Sequence, residues 1–72
     1  MRLLLAEDDD MIARALVTAL GSEGFSVDRV ASGELALEAL RGGGHGVALL
    51  DLGLPELDGF EVLARARRER PS

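Results

Sequence analysis

Glu7-Asp8-Asp9-Asp10 follows the apolar run Leu3-Leu4-Leu5-Ala6, and Asp51 follows Val47-Ala48-Leu49-Leu50 and opens the loop Leu52-Gly53-Leu54-Pro55-Glu56-Leu57-Asp58-Gly59. If the two runs are neighbouring parallel strands, their ends lie only ~4.8 Å apart. Several carboxylates then converge where the chain has no lysine to neutralise them. Two or three carboxylates, a backbone carbonyl and waters make a hard oxygen site that suits Mg2+, with Mn2+ as the second choice; zinc favours nitrogen and sulfur. A carboxylate beside such an ion can accept a phosphoryl group in line while the ion neutralises charge on the phosphoryl oxygens. Asp51, at a strand end, is the best placed to do so.

The elements that must position these acids follow from hydrophobic spacing. Leu3 to Ala6 is short and continuously apolar, which suits a parallel strand covered on both faces. Met11, Ile12, Ala15, Leu16, Ala19 and Leu20 recur at the helical period, with Asp9 and Asp10 at the helix N-terminus and an end near Gly24. Phe25, Val27 and Val30 predict a second strand; Ser32 then offers an N-cap to a helix with Leu35, Ala36, Ala39 and Leu40 on its apolar stripe, stopped by Gly42-Gly43-Gly44. Val47 to Leu52 is the most hydrophobic run and predicts the best-buried strand. Asp58 can cap a third helix with Phe60, Leu63 and Ala64 on its packed side, Arg65, Arg67, Arg68 and Arg70 crowding its end, and Pro71 closing it. Three successive βα units with right-handed crossovers build an α/β fold with an open parallel sheet. In a sheet of order 2-1-3 both acidic clusters fall at the switch point between strands one and three, beyond the strands' carboxyl ends, where such folds bind ligands.

Composition narrows the function. Seventy-two residues make one small domain at most, and such a chain buries only about 60% of its unfolded surface. The apolar share of 47% places it among folding sequences, and with two phenylalanines as its aromatics the core must come from Leu, Val and Ala. A net charge of −5 argues against a nucleic-acid or anionic-membrane grip. All eight basic residues are arginine, so lysine-dependent base or Schiff-base chemistry is excluded within these residues. The absence of cysteine removes disulfides and thiolate metal sites and is compatible with a cytoplasmic setting. The first apolar stretch is far short of the roughly 20 residues that cross a bilayer.

Taken together, Leu3-Leu4-Leu5-Ala6-Glu7-Asp8-Asp9, Leu49-Leu50-Asp51-Leu52 and Leu54-Pro55-Glu56-Leu57-Asp58-Gly59 leading into Phe60-Glu61-Val62-Leu63 resemble the N-terminal part of a bacterial two-component response-regulator receiver domain, over all 72 residues. The resemblance implies a flavodoxin-like receiver fold truncated after the third helix. It implies Asp51 as phosphoacceptor, Asp8 as a direct metal ligand, Glu7 acting mainly through metal-bound water, Gly53 as a ligand through its carbonyl, and Asp9 as an outer neighbour at most. It further implies a sensor histidine kinase as phosphoryl donor, a signalling module rather than an enzyme, and, from the Asp51-Leu52-Gly53-Leu54-Pro55 variant, a receiver of the kind attached to winged-helix transcription factors. Such receivers run to roughly 120 residues; the fourth strand with its Ser or Thr and the fifth with its Lys have no counterpart here. The edge of strand three is then unpaired, and exposed apolar edges recruit partners, so two copies are expected to pair or swap elements, or the chain to aggregate, unless the remaining half is supplied as another chain.

Plainer readings compete at each position. The acids after Ala6 also suit a helix N-terminus, and a strand-end Asp commonly accepts turn hydrogen bonds. His45, among glycines, reads as a solvent-loop residue, and Met11 and Ile12 read as core. The arginines of the third helix read as a solvated face. The glycines spell no phosphate loop, since no lysine follows them. A phosphatase with an aspartyl-phosphate intermediate needs a second Asp two residues after the nucleophile, and position 53 is Gly. A structural fragment that binds a divalent metal without phosphotransfer stays open at this point.

Overall fold

A computed structural model describes residues 1–69 of the chain. The order is β1 (Arg2–Ala6), α1 (Asp10–Ser22), β2 (Ser26–Val30), α2 (Gly33–Gly42), β3 (Val47–Leu50) and α3 (Gly59–Glu69). Each helix begins where a short polar side chain satisfies a free backbone amide. Asp9 accepts from the amide of Ile12 at 2.9 Å, Ser32 from that of Leu35 at 3.2 Å, and Asp58 from that of Glu61 at 2.9 Å. After α1 the chain reverses through Gly24, whose φ of +97° lies in the left-handed region glycine favours, and the Phe25 amide closes on the Leu20 carbonyl.

The three strands are parallel in the order β2-β1-β3, with Leu4 opposite Asp28 on one side and Ala48 on the other. Right-handed crossovers send α1 over one face and α2 over the other, and α3 packs beside α2. Leu4 and Ala6 of β1 meet Ala36 and Leu37 of α2, Val62 of α3, and Leu54 and Leu57 of the loop after β3, in one buried cluster. Leu3 and Leu5 point to the opposite face and are equally buried.

Two glycines clamp the site loop onto this core. A Cβ at Gly33 would lie 1.6 Å from the Leu57 carbonyl oxygen, and one at Gly59 would lie 2.7 Å from the Asp51 carbonyl oxygen. Neither backbone approach is open to a larger residue.

Several expectations about burial are corrected. β3 is the most exposed strand, with Val47 36% and Leu49 40% accessible, whereas β1 is almost fully buried. Hydrophobicity made β3 look central, but it lies at an edge of the sheet. It also ends at Leu50, so Asp51 and Leu52 belong to the loop, and β2 starts at Ser26, after Phe25. On α2, Leu37 is buried and Leu35 is half exposed; on α3, Val62 is buried while Phe60 and Leu63 face outward beside β3. Met11 and Ile12 are exposed, and Ala13 is the buried residue of α1. On α2 the expected Ala36, Ala39 and Leu40 do pack and Leu37 takes the place of Leu35, whereas the packed face of α3 is shifted by about one position, from Phe60 and Leu63 to Val62. His45 is no solvent-loop residue: its side chain is only 6% exposed, and its Nε2 lies 2.8 Å from Asp28 Oδ2. Arg70 and Pro71 of the expected third-helix end lie outside the described residues. Among the described residues no helix is long and apolar enough to cross a membrane.

Candidate functional site

The carboxyl end of β1 stays joined to β2 on one side and to β3 on the other one residue beyond the strands themselves. The Glu7 amide donates to the Val30 carbonyl at 3.0 Å, and the Asp51 amide donates to the Ala6 carbonyl at 3.0 Å. Glu7 and Asp51 are therefore anchored by sheet-like bonds before their side chains do anything. Glu7, Asp8 and Asp51 each place one carboxylate oxygen within 4.8 Å of the others; Glu7 and Asp51 are half-buried and Asp8 is exposed. Asp51 Oδ1 accepts from the Gly53 amide at 3.1 Å, which fixes the side chain's rotation, and each carboxylate keeps a second oxygen for other partners.

The other acids nearby are engaged elsewhere. Asp9 spends Oδ1 on capping α1, and its own amide donates to Glu7 Oε2 at 3.2 Å. Asp10 pairs with Arg29 at 3.0 Å. Asp58 caps α3. The fold thus separates three acids that converge from three that serve helices or ion pairs. Gly53 stands beside the cluster, with its amide turned to Asp51. A Cβ there would meet Asp51 Oδ1 at an ordinary 3.8 Å, so steric room alone does not require glycine at that position.

Three like charges at this separation repel one another by about 1 kcal/mol per pair in water and about 4 kcal/mol at an effective dielectric near 20. A hard cation relieves that repulsion, and an all-oxygen donor set with one exposed edge fits an ion that keeps several waters. The residues present therefore fit Mg2+, with Glu7, Asp8 and Asp51 as the carboxylate donors.

Arg29 and the two clamping glycines are the participants that sequence reasoning missed. Arg29 reaches this end from β2, with Nε and Nη2 donating to the Glu7 carbonyl at 2.9 and 2.7 Å. Charged residues at Asp28 and Arg29 within a strand otherwise built on valine were the only signal. Gly33 directly after an N-cap serine, where any helix former would do, was the signal for the close approach to Leu57.

The opposite end of the sheet is polar too, and different in kind. Arg2 donates to Asp28 Oδ2 at 2.6 Å, and His45 meets the same oxygen. The Arg2 hydrogen bond first, and the His45 bond second, hold the Asp28 carboxyl below the usual carboxylate range. This one acid is paired with basic side chains, whereas those at the carboxyl ends are gathered together.

An open parallel sheet with carboxylates gathered at its switch point puts them where doubly wound folds bind their ligands. Residues 3–72 match the response regulator receiver domain family, and the chain belongs to it. The transcriptional regulatory protein TcrA of Mycobacterium tuberculosis is 46% identical over 70 residues, covering 97% of this chain and 28% of that protein. The response regulator TrrA of Thermotoga maritima, solved in complex with the histidine kinase ThkA, superimposes with a TM-score of 0.87 at 30% identity, covering 96% of this chain and 60% of the solved one. The receiver domain of sensor histidine kinase PA1611 from Pseudomonas aeruginosa PAO1, solved with a magnesium ion coordinated in its active-site cleft, gives a TM-score of 0.87 at 30% identity over 96% of this chain and 56% of that one. The chain thus spans less than a third of the length of TcrA and somewhat more than half of these solved chains.

Proposed function

We propose that residues 1–72 are the N-terminal part of a receiver module that takes a phosphoryl group onto Asp51 from a phosphohistidine of a cytoplasmic sensor kinase, and that the module is a signalling component rather than an enzyme with turnover of its own. The observation that carries this reading is the convergence of Glu7, Asp8 and Asp51 within 4.8 Å at the ends of adjacent strands. Membership of the receiver family, and the likeness to TrrA as solved with a histidine kinase, support it.

In the transfer, an Asp51 carboxylate oxygen attacks phosphorus in line, an oxygen–phosphorus bond forms, and the nitrogen–phosphorus bond of the phosphohistidine breaks, its electron pair leaving with the imidazole. The Gly53 amide orients Asp51 for that attack. Glu7, Asp8 and Asp51, with the Gly53 carbonyl, would hold Mg2+, which when bound offsets the charge gathering on the phosphoryl oxygens. The output belongs to transcription, as the regulatory relative TcrA indicates, through a DNA-binding domain distinct from these residues.

The test is incubation with a small acyl-phosphate donor and Mg2+, read by intact mass. One added phosphoryl group, lost in Asp51→Asn and without Mg2+, is the expected result. Metal binding with no added mass under any donor overturns phospho-acceptance and leaves only a metal-binding fragment.

We also propose that β3 pairs with a second copy. It is hydrogen-bonded to β1 alone among the described strands, and Leu49, Leu52, Phe60 and Leu63 leave apolar surface beside it. Sedimentation over a dilution series should show association that Leu49→Lys weakens; a compact monomer at all concentrations rejects it.

A further inference from the structure

We infer that Arg29 is the positioning residue of the acidic cleft, holding the Glu7–Asp10 turn so that Glu7 and Asp8 stay over the strand ends; this rests on the metal-binding reading above. The guanidinium is planar and offers five donors in a fixed fork. Three donor nitrogens are in use: Nε and Nη2 on the Glu7 carbonyl at 2.9 and 2.7 Å, and Nη1 opposite Asp10 Oδ1 at 3.0 Å. One rigid group thus grips both ends of the four-residue acidic turn. Its own side chain is 27% exposed while that of Asp10 is 82% exposed, so the anchor is the arginine, seated on β2, and the turn is what it holds.

The grip has two consequences for the cleft. The Glu7 carbonyl, which follows the last sheet-like bond from the Glu7 amide to Val30, receives two donors and cannot rotate freely. The Asp10 carboxylate is drawn to Arg29 and away from the three acids that converge. On the helix side the Asp9 cap holds the same turn, so the segment is fixed from β2 and from α1 together. A lysine at position 29 keeps the charge but is a point donor on a flexible stem, and it cannot span the Glu7 carbonyl and Asp10 at once.

This makes geometry and charge separable. A cation placed near a cation site repels the metal, so if Arg29 acted through charge alone, Arg29→Gln would tighten Mg2+ and Arg29→Lys would behave as wild type. If it acts by positioning, both variants lose affinity alike. Groups that orient ligands without touching the metal typically contribute tenfold or more to metal affinity.

The experiment is a Mg2+ titration of the 72-residue chain, followed by the backbone amide shifts of Glu7, Asp8 and Gly53, for wild type, Arg29→Lys and Arg29→Gln. Leu20→Ala serves as a control destabilised away from the cleft. The expected result is a Kd raised about tenfold in both Arg29 variants, with Leu20→Ala at the wild-type value while folded. Asp10→Ala, an exposed change, cuts one arm of the fork but also removes a negative charge, so it is read at high ionic strength, where exposed charges are screened: a Kd still raised there supports the grip if the Arg29 variants fold poorly, and a wild-type Kd there overturns it. Tighter binding in Arg29→Gln, or wild-type affinity in Arg29→Lys, overturns the positioning role while leaving the metal site standing. Wild-type amides that do not shift saturably overturn the metal reading itself, and this inference with it.

Discussion

β1 and β3 are nearly the same sentence written twice: a short run of leucines and small apolar residues, then an acid. In the fold β1 is almost wholly buried and β3 is among the most exposed of the regular elements. The difference lies in neighbours. β1 is hydrogen-bonded on both sides and covered on both faces, whereas β3 has β1 on one side and its hydrophobic surface runs out toward Phe60 and Leu63. Hydrophobicity reports how much a segment would gain by burial; the topology decides whether anything is there to bury it. The same contrast organises the site, because the buried strand supplies Glu7 and Asp8 and the edge strand supplies Asp51.

Paired truncations break the comparison most directly. Leu4→Ala should destabilise the chain by about 2–5 kcal/mol, the usual cost of emptying a packed leucine site, which in a small domain removes most of the folded population. Leu49→Ala on β3 should cost only about 0.5 kcal/mol, and urea melts of the two variants measure the gap. Equal losses would mean that β3 is covered in solution. A second change attacks the junction between β3 and α3: Gly59→Ala forces a methyl against the Asp51 carbonyl and should cost about 1–3 kcal/mol. Amide shifts in that variant should move around Asp51 and Gly53 while those in β1 stay put.

The loop that follows β3 stores a smaller strain. Glu56 has a φ of 65°, the left-handed region that costs a residue with a Cβ about 1 kcal/mol. Glu56→Gly should raise stability by about that amount with the acidic cleft unchanged, as thermal melting would show.

The smallest effect concerns how β3 is tied at its start. His45, two residues before β3, meets Asp28 of β2, which Arg2 of β1 also holds. Because the folded-state pKa of Asp28 is depressed, chiefly by the Arg2 bond, its contribution is complete above its unfolded value near pH 4 and is lost as the pH falls below it. Asp28→Asn should therefore flatten the stability loss below about pH 4. Near neutral pH it should speed amide exchange in Val47 to Leu50 more than in Leu3 to Ala6. Unchanged exchange in β3 would show that the His45 tether carries no strain from the edge.

Much of the fold was legible because short-range physics wrote it. The caps at Ser32 and Asp58 were readable since each serves amides only a few residues away, and Asp9, read only as an acid at the helix N-terminus, proved to be the cap of α1. The 2-1-3 order came with the likeness to a receiver, because crossover handedness sets the face a helix covers and not the order of the strands, and with that order came the meeting of Glu7, Asp8 and Asp51. What escaped reading was which leucine of a stripe faces inward, as at Leu35 against Leu37. His45 escaped for a related reason, because a loop rich in glycine folded it against Asp28, seventeen residues earlier in the chain, a partner fixed only by the β2-β1-β3 arrangement.

The order of residues by itself determined the elements, the hand of their crossovers and the acids placed at the ends of β1 and β3, since periodicity, capping and crossover handedness act locally along the chain. Only the tertiary structure decided that Arg29 grips the acidic turn and draws Asp10 to itself, that His45 closes on Asp28, and that Leu37 and Val62 rather than Leu35 and Phe60 face inward. Those outcomes depend on contacts between segments far apart in sequence, and burial belongs to the assembled neighbours of a residue rather than to the residue alone.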